Sequence, residues 1–360
     1  MNKYALWLFL VDGITSTRIH YLLKTFSCAQ EIYSLSKEQL LKCEGVDEKL
    51  AEKMIESKKS WDLEYEAERL EERGIFFISE EEEEYPQRLL RIANAPYGIF
   101  YKGSLPDPAK KAVSIVGARG RSAYGKQVAE KIAKELALRN VNVISGLALG
   151  IDADAHKGAL AAKGTTYGVL GCGVDICYPN QNQYLYDEIL KNGGILSEYP
   201  PKISPKQYMF PARNRIIAGL CDCLIVIEAR EKSGSLITAD FAMEQGKDVF
   251  ALPGRITDPL SAGTNRLIKQ GAGVLYNIED FLKEWDLFDA SSALQMDFRK
   301  NVLEKDELLV YSLLDFCPVG IGTLCDKSSL PILTLFEILE RLQQKGFVKE
   351  IIPNYFVQTV

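Results

Sequence analysis

Residues 221–254 read CDCLIVIEAREKSGSLITADFAMEQGKDVFALPG. A near-unbroken Val/Ile/Leu run, a polar loop, a segment of helical spacing and a second apolar run follow one another. A strand with one face in water alternates apolar and polar residues; these runs do not, so both of their faces are buried. Such strands, separated by helices, make a parallel sheet covered on both sides. The pattern extends outward from about 108 to 283: KAVSIVGA, VNVISG, TTYGVLG, GGILSEY and GAGVLY read as further strands, and YGKQVAEKIAKELALRN as a helix between two of them. The expected core is therefore α/β, a Rossmann-like, mostly parallel sheet. Ligands on such sheets bind beyond the carboxyl ends of the strands.

The flanks read differently. Residues 1–75 are expected to form a helical domain, SAM-like or helix-hairpin-helix-like. LLKCEGVDEKLAEKMI has the form of two short helices around a Gly turn whose amides can meet a DNA phosphate, and LVDGITSTRIHYLL is a weaker second copy. A helical protein-contact module accounts for both equally well. Residues 76–107 read as a linker or extension and 284–301 as a second linker. Residues 302–360 suggest three short helices and a two-strand ribbon, a winged-helix-like domain. The mixed charge on the exposed face of LPILTLFEILERLQQKGFV argues against major-groove reading and for protein contact or packing.

The 360 residues are 47% hydrophobic and 26% charged, ordinary for a soluble chain of two or three domains. No apolar run reaches eighteen residues, and YALWLFLV is too short to span a bilayer. The eight cysteines are scattered without zinc-type pairs. They read as reduced thiols of a cytoplasmic protein with no metal, and Cys221 and Cys223 should face opposite sides of a strand. The net charge is −6, but residues 110–275 hold 21 Lys/Arg against 15 Asp/Glu. The basic middle of an acidic chain confines phosphate binding to a local patch.

That patch is expected in the post-strand loops. In SIVGARGRSAYG, Arg119 stands where a dinucleotide fingerprint needs its second Gly. VISGLALG carries no acid for a ribose diol, so no nicotinamide cofactor, nor any other, is expected. SGLALGIDADAH offers Ser145, Gly146 and Gly150 as an anion nest with Asp152 as helix N-cap. His156 follows on an apolar helix and reads as packed and hydrogen-bonded. In FPARNRIIAGL, Phe210 precedes Arg213, Asn214 and Arg215 at a helix entrance. Ser233, Gly234 and Ser235 open another helix without the GK[ST] of an ATPase loop, and Asn265 and Arg266 mark a further helix start. All these would share one rim: cations and amides tracking a phosphodiester backbone, a base stacking on Phe210. A rim of that kind suits single-stranded DNA.

SIVGAR, SGLALGIDADAHKGAL, GCGVDICYP, LSEYPP, FPARNRIIAGL, EAREKSGSLITADFAMEQGKDVFALPG and GTNRLIKQGA together resemble the bacterial DNA-processing protein A (DprA/Smf) family. The resemblance implies a non-catalytic single-stranded DNA-binding protein. It would protect incoming DNA in natural transformation and load the RecA recombinase, usually as a homodimer and away from any membrane. It assigns DNA contact to Arg119, stacking to Phe210 and the family's RNR signature to Arg213–Arg215. Lys206 stands one position from a lysine found in some members, and Asn180 where others carry one. A rival on the same sheet is a nucleoside-monophosphate phosphoribohydrolase-like enzyme. Its PGGxGTxxE loop would need a Glu where this chain reads SGSLITADF, with Asp240 at a shifted spacing. A pure protein scaffold is the third class.

Overall fold

The computed structural model describes residues 1–287, 303–315 and 318–359. They form two compact units, Met1–Arg121 with Ile132–Tyr276, and Ser122–Lys131 with Asn277–Val360.

The first unit is built on nine strands: β1 (Phe76–Ser79), β2 (Gly98–Gly103), β3 (Ala112–Gly117), β4 (Asn142–Ser145), β5 (Thr166–Val169), β6 (Gly193–Ser197), β7 (Cys223–Ile227), β8 (Asp248–Ala251) and β9 (Gly273–Val274). Their order is β1-β2-β6-β5-β4-β3-β7-β8-β9. All seven strands expected from 108 to 283 are present, and they pair in parallel from β6 to β9. Cys221, expected on the strand, instead ends the preceding helix, and β7 starts at Cys223.

Residues 76–107, read as a linker or extension, contain β1 and β2, which add to the sheet antiparallel. Burial shows why the sequence hid them: β1 is a four-residue edge strand, and β2 is buried only over its first half. Side chains alternate across this edge, Phe77, Phe100 and Ile195 joining the core on one face and Ile78, Ile99 and Leu196 the core on the other.

Residues 1–75 fold as α1 (Lys3–Leu10), α2 (Ser16–Leu23), α3 (Ala29–Ser34), α4 (Lys37–Leu40), α5 (Glu48–Ser60) and α6 (Leu63–Glu71). Side-chain caps start several of them: Asn2 accepts from the Tyr4 and Ala5 amides, Asp47 from Leu50, and Ser36 forms a capping box with Gln39. The two Gly turns read from the sequence are there, Gly13 at φ 87° between α1 and α2 and Gly45 at φ 81° between α4 and α5. These helices share one core with the first face of the sheet, where α8 (Ile151–Ala161) and α9 (Gln183–Lys191) also pack. The opposite face carries α10 (Met209–Leu220), α11 (Gly234–Glu244) and α12 (Ala262–Lys269). The helix after β3, α7, is Ala123–Leu138.

The second unit contains α13 (Ile278–Glu284), α14 (Lys305–Ser312), α15 (Ile321–Ser328) and α16 (Ile332–Gln344). A small antiparallel sheet runs β10-β12-β11, from β10 (Val319–Gly320), β11 (Val348–Ile352) and β12 (Tyr355–Gln358). Leu335, Ile338, Leu339 and Leu342 recur at helical spacing and bury one stripe of α16 against Val310, Leu324 and Phe356. Beneath it, buried Glu307 accepts from Lys345 at 2.7 Å. This is the winged-helix-like domain. From residue 288 on, the linker expected over 284–301 lies outside the described residues.

Candidate nucleic-acid interface

The strand order reverses its sense at β3. From β3 the chain builds outward through β4, β5 and β6, then returns to β3's other side for β7 and β8. The loops leaving β3 and β7 therefore diverge, and a crevice opens between them at the carboxyl edge. A cavity of about 590 Å³ lies there, lined from these two loops, from Tyr178 and from the first turns of α10 and α11.

Four cations line it: Arg119, Arg230 and Lys232, all exposed, and the buried Arg213. None of the three exposed cations forms a salt bridge among the described residues, whereas Arg121 is held by Asp154 at 2.6 Å. Ser233, Gly234 and Ser235 form the start of α11 on the cavity wall, Ser233 and Ser235 sharing a 2.8 Å hydroxyl contact. First-turn amides of an eleven-residue helix have no intrahelical partners, so this wall presents donors and the positive end of a dipole. On the opposite wall Phe210 stacks on Tyr178, ring centroids 5.5 Å apart and 29° between planes, and the Arg119 guanidinium lies 5.9 Å over the Phe210 ring.

Several residues expected on DNA bond to the protein itself, Arg213 and Asn214 while also lining the cavity. Arg213 is 6% exposed and donates through Nη1 to the carbonyls of Gly146, at 2.8 Å, and Val169. Burial pulls its pKa down to about 10. Ser145 is buried and donates to Ile115 O at 2.6 Å. Asn214 is buried and donates to Gly234 O, tying α10 to the α11 turn. Arg215 makes a two-pronged pair with Glu198 at 2.8 and 2.7 Å, and Glu198 also accepts from Ser16 of α2. Lys206 is exposed, and Gln207 rather than Lys206 lines the cavity.

The anion nest is present but holds the protein's own carboxylate. Asp152, expected as N-cap of α8, has its Oδ2 against the amides of Gly146 and Ala148, at 3.2 and 3.4 Å, while Gly150 occupies the cap position. Burial raises the Asp152 pKa and the nearby Arg213 charge opposes that rise. Gly146 is needed for space: a Cβ there would sit 2.5 Å from Arg213 Nη1 and 2.7 Å from Asp152 Oδ2. Left-handed backbone falls on Leu147 and Gly150. His156 is buried, as expected, and its Nδ1 lies 2.7 Å from Thr166 Oγ1, with its pKa driven down to about 3 by burial. Asp240, the carboxylate nearest the rival enzyme's spacing, is exposed and outside the cavity lining. Asn265 lies within α12 and bonds both backbone groups of Gly254.

Sequence reasoning missed Tyr178, Arg230 and Lys232. The last two were adjacent to the singled-out SGS turn in EAREKSGS, where two cations directly after a strand end were themselves the signal. Tyr178 was visible only as part of CYPN.

A profile of the family described as DNA recombination-mediator protein A matches residues 76–286. The DNA processing protein DprA of Bacillus subtilis (strain 168) is 43% identical over 214 residues, 59% of this chain and 72% of that protein. The X-ray structure of DNA processing protein A from Streptococcus pneumoniae superposes with a TM-score of 0.67 at 36% identity, covering 79% of this chain and 98% of that one. A Helicobacter pylori DNA processing protein A structure, described for its single-stranded DNA binding mode, gives a TM-score of 0.53 at 33% identity and covers 59% of this chain and 95% of its own.

Proposed function

Because the chain belongs to the DNA recombination-mediator protein A family, we propose that the cavity beyond β3 and β7 binds single-stranded DNA without sequence preference. The observation that carries this reading is the pairing, in one crevice, of three exposed cations that form no salt bridge among the described residues with a stacked aromatic pair. Arg119, Arg230 and Lys232 neutralise phosphates, the α11 turn at Ser233–Ser235 donates to them, and a base stacks on the aromatic pair that includes Phe210. Ser145, Gly146, Gly150, Arg213, Asn214 and Arg215 hold that surface in shape. A duplex fits worse, since its stacked bases cannot reach a ring set inside the crevice.

The binding protects a strand and presents it to a recombinase, with RecA as the partner in recombination and transformation. The family description supports this handover. Two copies paired as a homodimer would add their crevices along one strand. We place the work in the cytoplasm and assign it no catalytic step and no cofactor; no described helix is long and apolar enough to cross a membrane.

Fluorescence anisotropy of labelled oligo-dT tests the reading. Three phosphate contacts on a single strand give a log–log salt slope of about −2, a roughly 20-fold loss when salt is quadrupled. Binding that ignores salt, or that a duplex competes as well as a single strand, would overturn it.

A further inference from the structure

The second unit contains the parts of a helix-turn-helix. α15 and α16 are joined by residues 329–331, with Ser329 left-handed at φ 56°. In such a pair the second helix lies in the major groove, and its N-terminal residues meet base edges. On α16 those residues are Ile332, Leu333 and Phe336, exposed at 52%, 75% and 42%. Four residues beyond Leu333 and Phe336, on the same side of the helix, stand Glu337 and Glu340, both exposed and in no salt bridge among the described residues. The cations of α16 and its C-cap are engaged: Lys345 pairs with Glu307 at 2.7 Å, and Arg341 lies 3.7 Å from Glu304 and 3.9 Å from Glu307. In the wing, Ile352 and Tyr355 pair across β11 and β12 and are also exposed. Residues 303–359 hold five Lys/Arg against eight Asp/Glu.

We propose that the exposed face of α16 docks an amphipathic helix of another protein, its apolar residues set on Ile332, Leu333 and Phe336 and its Lys or Arg beside Glu337 and Glu340. Charge decides among the occupants. Glu337 and Glu340 repel phosphate where a groove-reading helix needs cations, and Ile, Leu and Phe offer a base edge no hydrogen bond. A second copy of α16 packed face to face would set its own glutamates against these. A partner with basic flanks satisfies them, and Phe336 with its two aliphatic neighbours supplies an apolar anchor. This docking is independent of strand binding in the crevice.

The test titrates the full chain into two labelled synthetic helices that share a leucine stripe, one flanked by lysines and one by glutamates, and follows anisotropy. The lysine-flanked peptide should bind about tenfold more tightly. Leu333→Ser should weaken it about tenfold. Glu337→Lys combined with Glu340→Lys should reverse the preference, a result that misfolding cannot mimic. Leu333→Ser should also keep the parent's affinity for duplex DNA and its sedimentation mass. Equal binding of the two peptides, or a preference that the charge reversal leaves in place, would overturn the proposal. So would lost duplex affinity in Leu333→Ser, which assigns α16 to DNA, or a lower mass, which assigns it to a second copy.

Discussion

Arg213→Ala should unfold the first unit more readily without removing a phosphate contact. The guanidinium is buried and donates to the carbonyls of Gly146 and Val169, and it is the main favourable charge near buried Asp152. Truncation leaves two carbonyls unpaired, at about 1 kcal/mol or more each, and strips a buried carboxylate of its compensating charge. Breaking a buried charge pair from one side costs about 3–5 kcal/mol; Asp152 can relieve part of this by taking up a proton, so about 4 kcal/mol is expected in all. With a urea dependence of about 3 kcal/mol per molar, the midpoint falls by about 1.3 M. A Trp285→Phe background confines tryptophan emission to Trp7 and Trp61, both in the first unit. Below the transition, the folded Arg213→Ala protein should keep the parent's salt slope for oligo-dT. An unchanged urea midpoint together with a shallower slope would refute this reasoning and return Arg213 to the DNA.

Arg119→Ala should show the reverse pattern. Its exposed side chain forms no salt bridge among the described residues, so stability should stay within about 0.5 kcal/mol, while the log–log salt slope for oligo-dT drops by about 0.7. Gly117→Ala should be severely destabilising, by roughly 3 kcal/mol or more, because a Cβ there would overlap the Ile227 carbonyl oxygen and force β3 away from β7; thermal unfolding measures it. The buried His156, with a folded pKa of about 3, makes the protein acid-sensitive. An unfolded histidine binds a proton below about 6.5 and the folded one does not, so the unfolded state holds more protons across that window and stability falls with pH. The loss is about 1.4 kcal/mol per unit, roughly 2 kcal/mol by pH 5. His156→Gln should flatten the decline in urea stability between pH 7 and 5 by that amount, and an unaltered decline would show that another group carries it.

The seven parallel strands were legible because burial on both faces leaves short apolar runs rich in Val and Ile, separated by segments of helical spacing. The antiparallel pair Phe76–Ser79 and Gly98–Gly103 was not, because one is an edge and the other is half-buried, and both sit among charged residues. For the same reason residues 1–75 read as separate: helical spacing reports an apolar stripe, not what covers it, and here Trp7, Leu22 and Met54 share a core with Phe77, Phe100 and Ile195. Within the crevice, Arg119 and Ser233–Ser235 lie where loops leave β3 and β7, and Phe210 lies in the first turn of α10. What the sequence did not show is that Ser145, Arg213, Asn214 and Arg215 bond to the chain itself. Residue type announces that an arginine needs an anion or a set of carbonyls; only tertiary structure says which it has.

The division between free and engaged cations has a consequence for binding. Arg213, Arg215 and Arg121 are held by carbonyls or carboxylates of the chain itself, while Arg119, Arg230 and Lys232 at the crevice form no salt bridge among the described residues. A crevice cation in a salt bridge would have to break it before meeting phosphate, and the strand's affinity would lose that energy. The engaged groups fix the crevice wall instead: Arg213 ties α10 to Gly146, and Asn214 ties it to Gly234 at the α11 start. The nest at Gly146 and Ala148 fits the same logic: it is filled by Asp152, so no phosphate needs to be taken deep into the sheet. On the proposed single-strand reading, phosphates would meet the outer cations at the crevice mouth, and the interior would be left to an unpaired base.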